Sequence, residues 1–389
     1  MNNAGIPAAT DQVRRQNTAL ILRSLRMNGP STRADLAKRT GLAKATVGTI
    51  IGQLDLAGAV VEDQAQASGR GRPGRPVVLS GERTMGVGLE INVDYMSAVA
   101  LDLSGRERLV ETRPLAAGAT PEDLVSFAVA LTQRLEDDGH TIVGVTAAVP
   151  GLVDRAAGIV SSAPNLHWSQ VPLRDLLAAR LSPGAVVSID NDANCAALAE
   201  GSRGAAVDSP SALYLTGTVG VGAGILVDGQ VLRGGSGFAG EVGHMPIGDP
   251  RVACGCGRSG CWEASIGLRA MLTAVGMSES GTPLETARAV ADRAKDDASV
   301  REGLDSLANW LGNGIAVLSN ILNPSIVILG GYFVPIGTYL VPRIREIVDA
   351  KVLAAPLQET DICLSSLGIH AAATGAAEEA LSVVYAGVI

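Results

Sequence analysis

His244, Cys254, Cys256 and Cys261 fall within eighteen residues, and the three cysteines, out of five in the whole chain, occupy only eight. One imidazole and three thiolates complete a tetrahedral shell for zinc and leave no position open for water. Glycines at 255, 257 and 260 let the backbone turn tightly enough for three sulfurs to meet one ion. A closed shell is a structural site, worth on the order of 10–16 kcal/mol of apparent binding energy in small zinc peptides. One zinc per chain is therefore expected, fixing the loop that carries it. The competing reading is three buried cysteines beside a core histidine, and their crowding counts against it. Glu241 and Glu263 flank the set. They are surplus to a saturated zinc and are expected to face something else.

A length of 389 residues suggests two or three domains, and 47% hydrophobic with 3% aromatic content describes an aliphatic globular chain. No apolar run reaches about 18 residues and the N-terminal stretch lacks a signal-peptide profile, so a cytoplasmic protein with no membrane partner is expected. Zinc thiolates rather than disulfides suit that reducing compartment. Cys195 and Cys363 are left for the core. The formal net charge of −8 is unevenly spread, because residues 1–80 carry 11 Lys and Arg against 5 Asp and Glu. A basic head on an acidic body is the charge map expected when only the head meets nucleic acid.

Residues 13–27 place Leu20, Ile21 and Leu25 on one helical face, with arginines on the other. Asn28, Gly29 and Pro30 stop that helix. Ser31 is positioned to cap a second helix, and Gly41 sits in the turn before a third that begins Ala43-Lys44-Ala45-Thr46. Two short helices across a glycine turn form a helix-turn-helix, whose second helix enters the major groove by its N-terminal residues. Lys44, Thr46 and Thr49 are the expected DNA contacts, with Ala43 and Ala45 small enough to allow close approach. An ordinary helical hairpin in a core is the alternative. A wing is expected from Val60-Val61 through a polar tip to Val77-Val78-Leu79. Within it, Arg70, Arg72 and Arg75 stand on a Gly-Arg-Pro segment suited to a narrow A·T-rich minor groove, or to a stiff interdomain linker.

From Thr84 onward, strands alternate with helices, which argues for an α/β body. A β-hairpin is expected from Met85 to Gly105 and a helix near 121–138. Further strands are expected at residues 141–150, 186–191, 211–216 and 325–331, with helices at 172–181, 192–201, 264–276, 285–294 and 300–322. Asp190-Asn191-Asp192-Ala193-Asn194 follows a strand and opens a helix; such side chains are common helix caps in their own right. The glycine-rich segment at 216–225 is weak evidence for nucleotide and is equally suited to close packing.

Glu241-x-Gly-His244 followed by Cys254-x-Cys256-Gly-x-x-Gly-Cys261-x-Glu263 resembles the signature of the ROK family, which groups sugar kinases with transcriptional repressors. The helix-turn-helix and Gly-Arg-Pro segment are similar to the family's repressor branch. The resemblance implies a two-lobed actin-like ATPase fold with a sugar cleft between the lobes, which length and periodicity alone do not give. It implies that Asn191 binds sugar and that Asp192 corresponds to the kinases' general base, with Glu241, His244 and Glu263 completing the set and Asn165 a further candidate. The kinases' first phosphate loop reads D-I-G-G-T-K, whereas the matching residues here are Glu90-Ile91-Asn92-Val93-Asp94-Tyr95. Both glycines, the threonine and the lysine are gone, and Asp94 adds negative charge where phosphates would lie. No catalytic residue and no ATP are therefore expected, and Asp192 is a vestigial base.

The resulting expectation is a winged helix-turn-helix at 1–80, a first lobe at 81–201 to which 371–389 returns, and a second lobe with the zinc at 202–370. It is a sugar-responsive regulator, a repressor, that binds operator DNA as a homodimer or homotetramer, because one small head offers little contact area. An active sugar kinase and a ligand-blind DNA-binding or dimerisation protein are the two alternatives.

Overall fold

The computed structural model describes residues 6–62, 75–115 and 118–387. The N-terminal unit comprises α1 (Ile6–Asn28), β1 (Ser31–Thr32), α2 (Arg33–Thr40), α3 (Lys44–Leu56), β2 (Val60–Glu62) and β3 (Pro76–Leu79). Its strands form an antiparallel sheet in the order β1-β3-β2, with Val60 opposite Leu79. Ile21, Leu22 and Leu25 of α1 are buried, whereas Leu20 is 45% exposed and turns away from the face assigned to it. Thr32, not Ser31, caps α2: its hydroxyl accepts from the Asp35 amide, while Ser31 pairs in the sheet. Gly41 closes α2 at φ 71°, a left-handed conformation that costs a side chain with Cβ about 1 kcal/mol or more. The wing's polar tip, with Arg70 and Arg72, lies outside the described residues; Arg75 is exposed just ahead of β3.

The first half of the body contains β4 (Thr84–Ile91), β5 (Tyr95–Asp102), β6 (Glu107–Pro114), α4 (Pro121–Asp137) and β7 (Thr141–Val149). It continues through β8 (Leu152–Asp154), β9 (Ile159–Ala163), β10 (Trp168–Val171), α5 (Leu173–Ala178), β11 (Val186–Asn191) and α6 (Asp192–Arg203). Its main sheet runs β11-β7-β4-β5-β6, parallel through β4, β7 and β11 and antiparallel beyond. Burial on both faces explains why β4, β5 and β7 read as nearly unbroken apolar runs.

The second half contains β12 (Ser211–Gly217), β13 (Val221–Val227), β14 (Gln230–Val231), α7 (Glu263–Ile266), α8 (Leu268–Val275) and α9 (Pro283–Ala294). It ends with α10 (Ala298–Leu322), β15 (Ile326–Gly331), α11 (Phe333–Lys351) and β16 (Asp361–Leu364). The sheet order, β14-β13-β12-β15-β16, again joins antiparallel edge strands to parallel ones. The single helix expected at 264–276 is broken in two, because Gly267 takes an extended ψ of 171°. The helix expected at 172–181 shortens to α5. Nothing in the sequence reading anticipated α11, which carries the exposed Pro342 within the helix.

The last helix, α12 (Ala371–Tyr385), packs between the first sheet and α6. Its small residues permit this: a Cβ on Gly88 would lie 1.9 Å from the Ala373 carbonyl, and one on Gly375 would lie 1.6 Å from that of Cys195. Cys195 is buried there, while Cys363 on β16 is only half-buried. The N-terminal unit is not suspended on a linker. Leu22, Leu25, Val60 and Val77 share one apolar cluster with Leu101 of β5 and Leu381 of α12.

Candidate functional site

His244 ends a short 3-10 turn (Val242–His244), and Cys254, Cys256 and Cys261 follow on the loop that leads into α7. The four donor atoms all lie within 4.8 Å of one another. Cys256 Sγ and Cys261 Sγ are 3.7 Å apart, and Cys254 Sγ is 3.9 Å from His244 Nδ1. Zinc–sulfur bonds of about 2.3 Å at tetrahedral angles set sulfurs about 3.8 Å apart, so the donor set fits a single tetrahedral ion. Burial pushes the Cys254 thiol up to about 12, while the hydrogen bond from the Arg258 backbone lowers that of the exposed Cys256.

Glu263, the first residue of α7, does not project freely from this loop. Its Oε2 accepts from the Val221 amide at 2.9 Å, and Cys254 Sγ lies 3.6 Å from Oε1. The carboxylate thus ties the cysteine loop to the start of β13. A Cβ on Gly220 would sit 2.5 Å from that same Oε2, which accounts for one of the glycines in the 216–225 segment. Others in the segment serve packing too: Gly224 lets α6 approach β13, with Ala193 O 2.3 Å from where a Cβ would be, and Gly217 receives the ring of Tyr332.

At the end of β11, Asn191 caps α6. Its Oδ1 accepts from the Asn194 amide at 3.1 Å and its Nδ2 donates to the Gly151 carbonyl at 3.1 Å. Asp190 steadies the turn, accepting from the Asn191 amide at 2.8 Å and pairing with Arg233 and Arg155. A small crevice opens beside it, lined by Asn191, Asn194, Phe238 and Glu241 among others. Asn194 is buried, and its Oδ1 has no hydrogen-bond partner among the described residues. Sequence reasoning quoted this residue without assigning it a role. Its signal was its place at the third residue of the helix that Asn191 caps, from which its Nδ2 reaches back to Asp190 Oδ1 at 3.5 Å.

Asp192 is buried on the adjoining side, lining a second cavity together with Glu90, Tyr95 and Tyr214. Burial raises the Asp192 carboxyl to about 6, opposed by backbone hydrogen bonds at the start of α6 and reinforced by the charge of Glu241. Glu241 is itself raised by desolvation, relieved by His244 and reinforced by Glu263. Glu241 thus links Asp192, in the first half of the body, to the zinc-side pair His244 and Glu263 in the second. Asn165 stands apart: it is exposed in the 3-10 turn Pro164–Leu166 and lines neither space.

The β4–β5 hairpin closes on itself across Glu90 to Tyr95. The Asn92 amide donates to the Tyr95 carbonyl at 2.8 Å, and the Tyr95 hydroxyl donates to Glu90 Oε1 at 2.7 Å. Burial raises the Glu90 carboxyl to about 8, partly offset by that Tyr95 hydrogen bond. At the other end of the molecule, Ala43, Lys44, Ala45 and Thr49 are exposed on the first turns of α3 and Thr46 is half-buried. The Thr49 hydroxyl donates to the Ala45 carbonyl at 3.1 Å.

The ROK family model matches residues 86–382. A xylose repressor of Bacillus spizizenii is 30% identical over 370 residues, covering 93% of this chain and 94% of its own length. A glucokinase of Streptomyces coelicolor is 30% identical over 309 residues, covering 75% of this chain and 96% of its own. Among solved structures, a ROK family transcriptional regulator, homologous to the E. coli MLC protein, superposes with a TM-score of 0.82 at 24% identity. That superposition covers 97% of this chain and 98% of the other.

Proposed function

The chain belongs to the ROK family, and we propose that it is a sugar-responsive transcriptional repressor whose N-terminal unit binds operator DNA. The observation that carries this reading is coverage. The xylose repressor matches 93% of the chain, whereas the glucokinase, aligned over nearly all of its own length, reaches only 75%. The surplus is a basic three-helix unit with a short antiparallel sheet, which we assign as a winged helix-turn-helix over residues 1–80. In this reading α3 enters the major groove with Lys44, Thr46 and Thr49 at the DNA and Ala43 and Ala45 beside it, while Arg70, Arg72 and Arg75 reach the minor groove.

We assign residues 81–201, with the returning helix α12, to a first lobe and 202–370 to a second. The sugar binds where they meet, at Asn191, Asp192, Glu241, His244 and Glu263, with Asn165 able to join only if its turn swings inward. Amides and carboxylates around a polyol discriminate well, because an analogue lacking a hydroxyl leaves a buried polar group unpaired. His244 and the three cysteines would hold zinc, which supplies structural restraint and no chemistry. Its donor geometry and the Glu263–Val221 hydrogen bond would then set Glu241 and Glu263 in place. Two copies or more bring two heads to one operator.

One observation favours a kinase: Asp192 is retained, buried, at the start of α6. Against it stands the Glu90–Tyr95 hydrogen bond, with Asp94 beside it, where phosphates would need amides and cations. The deciding experiment measures binding of the full chain to DNA fragments from its own promoter region by fluorescence anisotropy, with and without xylose and a panel of other sugars. Sugar-dependent change in DNA affinity without ATP consumption is the expected result. Sugar phosphorylation with no effect on DNA binding would reverse the reading, and DNA binding indifferent to every sugar would reduce the body to a dimerisation unit.

A further inference from the structure

Residues 306–342 contain no Asp, Glu, Lys, Arg or His, although charged residues make up 18% of the chain. Much of that stretch is the buried strand β15 and the inner faces of α10 and α11, where charge is excluded because burying it is costly. The outward face of α10 is not buried, yet it is just as free of charge. Trp310, Asn313, Val317 and Ile321 recur at intervals of three and four residues, so they share one side of the helix. Val317 is 39% exposed and Ile321 70%.

The turn after α11 extends this face. The Leu353 amide donates to Asn320 Oδ1 at 3.0 Å, and Asn320 Nδ2 donates to the Lys351 carbonyl at 3.1 Å, which clamps the turn to the end of α10. The Leu357 amide closes the turn on the Ala354 carbonyl at 2.8 Å. Leu353 is 90% exposed and Leu357 91%. One exposed leucine needs no explanation. Four large aliphatic side chains gathered on a surface without charge have the composition of an interface centre, where charged residues are depleted.

We propose that this face of α10, with the turn that follows α11, joins two copies of the chain about a two-fold axis. Area and charge both select that occupant. The face runs about 27 Å along α10 and about 20 Å across to the turn, on the order of 500 Å². Matched by the same face of a second copy, it reaches about 1,000 Å², the level a specific interface needs. A patch without charge meets its own copy without repulsion, as a two-fold contact requires. An antiparallel crossing also sets Glu302 and Asp305, exposed near the start of α10, towards the second half of the partner's α10. Lys351 stands beside that half, its ammonium donating to Asn313 Oδ1 at 2.6 Å, so the flanking charges are opposite in sign. The assignment rests on the reading that two heads meet one operator, and it names the surface that holds them together.

Sedimentation velocity of the full chain without DNA, from nanomolar to micromolar concentration, tests this in the wild type and in the double variant Ile321→Asp, Leu353→Asp. Both side chains face solvent in one copy, so circular dichroism of the variant should match the wild type. The wild type should be a dimer or larger at micromolar concentration. Like charges placed across the axis should weaken self-association at least about a hundredfold in the variant. Amide exchange of the wild type at high and low concentration supplies a second measurement, with concentration-dependent protection expected over residues 310–323 and 352–357. Self-association unchanged in the variant, or protection confined to other segments, overturns this surface and leaves the repressor reading intact. A wild type that is monomeric throughout overturns the surface together with its two-copy premise, whereas the sugar-dependent DNA titration judges the repressor reading separately.

Discussion

Arg26, near the end of α1, donates to Glu378 of α12 at 2.5 Å. The same carboxylate oxygen pairs with Arg203, at the last turn of α6, which also donates to the Gly105 carbonyl at 3.0 Å. The first turn of α6 carries Asp192, so a helix of 12 residues, about 18 Å, runs from the interlobe cleft to the junction with the N-terminal unit. A shift of α6 on sugar binding would reach α1 through one shared carboxylate. Glu378→Ala leaves two arginines facing each other and should cost about 3 kcal/mol of stability. In DNA-binding titrations it should also shrink the effect of sugar more than it alters affinity without sugar. Full sugar response in this variant would exclude the route.

Cys256→Ser should remove one of four metal donors. Elemental analysis of the wild type is expected to show one zinc per chain, and of the variant much less, with a lower melting temperature and a weakened sugar response. A zinc-free wild type purified without chelators would refute the metal assignment.

Lys44→Ala deletes an exposed cation on the first turn of α3. Operator affinity should fall and the slope of log affinity against log salt should drop by about one unit, as expected for one lost phosphate contact. An unchanged slope would place Lys44 off the backbone.

Asp192→Asn distinguishes a sugar acceptor from a catalytic base. A charge-assisted hydrogen bond is worth about 1.5–3 kcal/mol, so sugar affinity should fall roughly tenfold or more while operator binding without sugar persists. Loss of ATP-dependent phosphorylation at unchanged sugar affinity would instead identify a kinase.

Glu90 makes stability depend on pH. Its carboxyl is raised from 4.5 to about 8 chiefly by burial. An acid whose folded-state pKa is raised holds its proton more tightly when folded, so its contribution is fully present below 4.5 and is lost as pH climbs towards 8. The melting temperature should therefore fall between pH 6 and about 8.5, and Glu90→Gln should flatten that part of the profile. An identical slope in both proteins would mean that other groups govern it.

The residues that matter most for the metal and for the N-terminal helices were legible because their partners are close in sequence. His244 and the cysteines span eighteen residues, and Gly41 with its flanking helices needs only its own backbone preference and the apolar residues between. The stretch from Glu90 to Tyr95 was likewise visible as a run of residue types unlike the kinases' glycine-rich loop. What sequence reading could not supply depends on pairs distant along the chain. Arg26 meets Glu378 across 352 positions, and Leu25 shares a cluster with Leu381. Glu263 turns to the Val221 amide, and Asn165 remains at the surface although the family pattern groups it with the rest. Local spacing fixes which atoms can share an ion or a helical turn, because backbone geometry limits their separation to a few ångströms. The meeting of α1, α6 and α12 instead follows from the packing of two sheets and their helices, where a glycine such as Gly88 or Gly375 decides how near two backbones come.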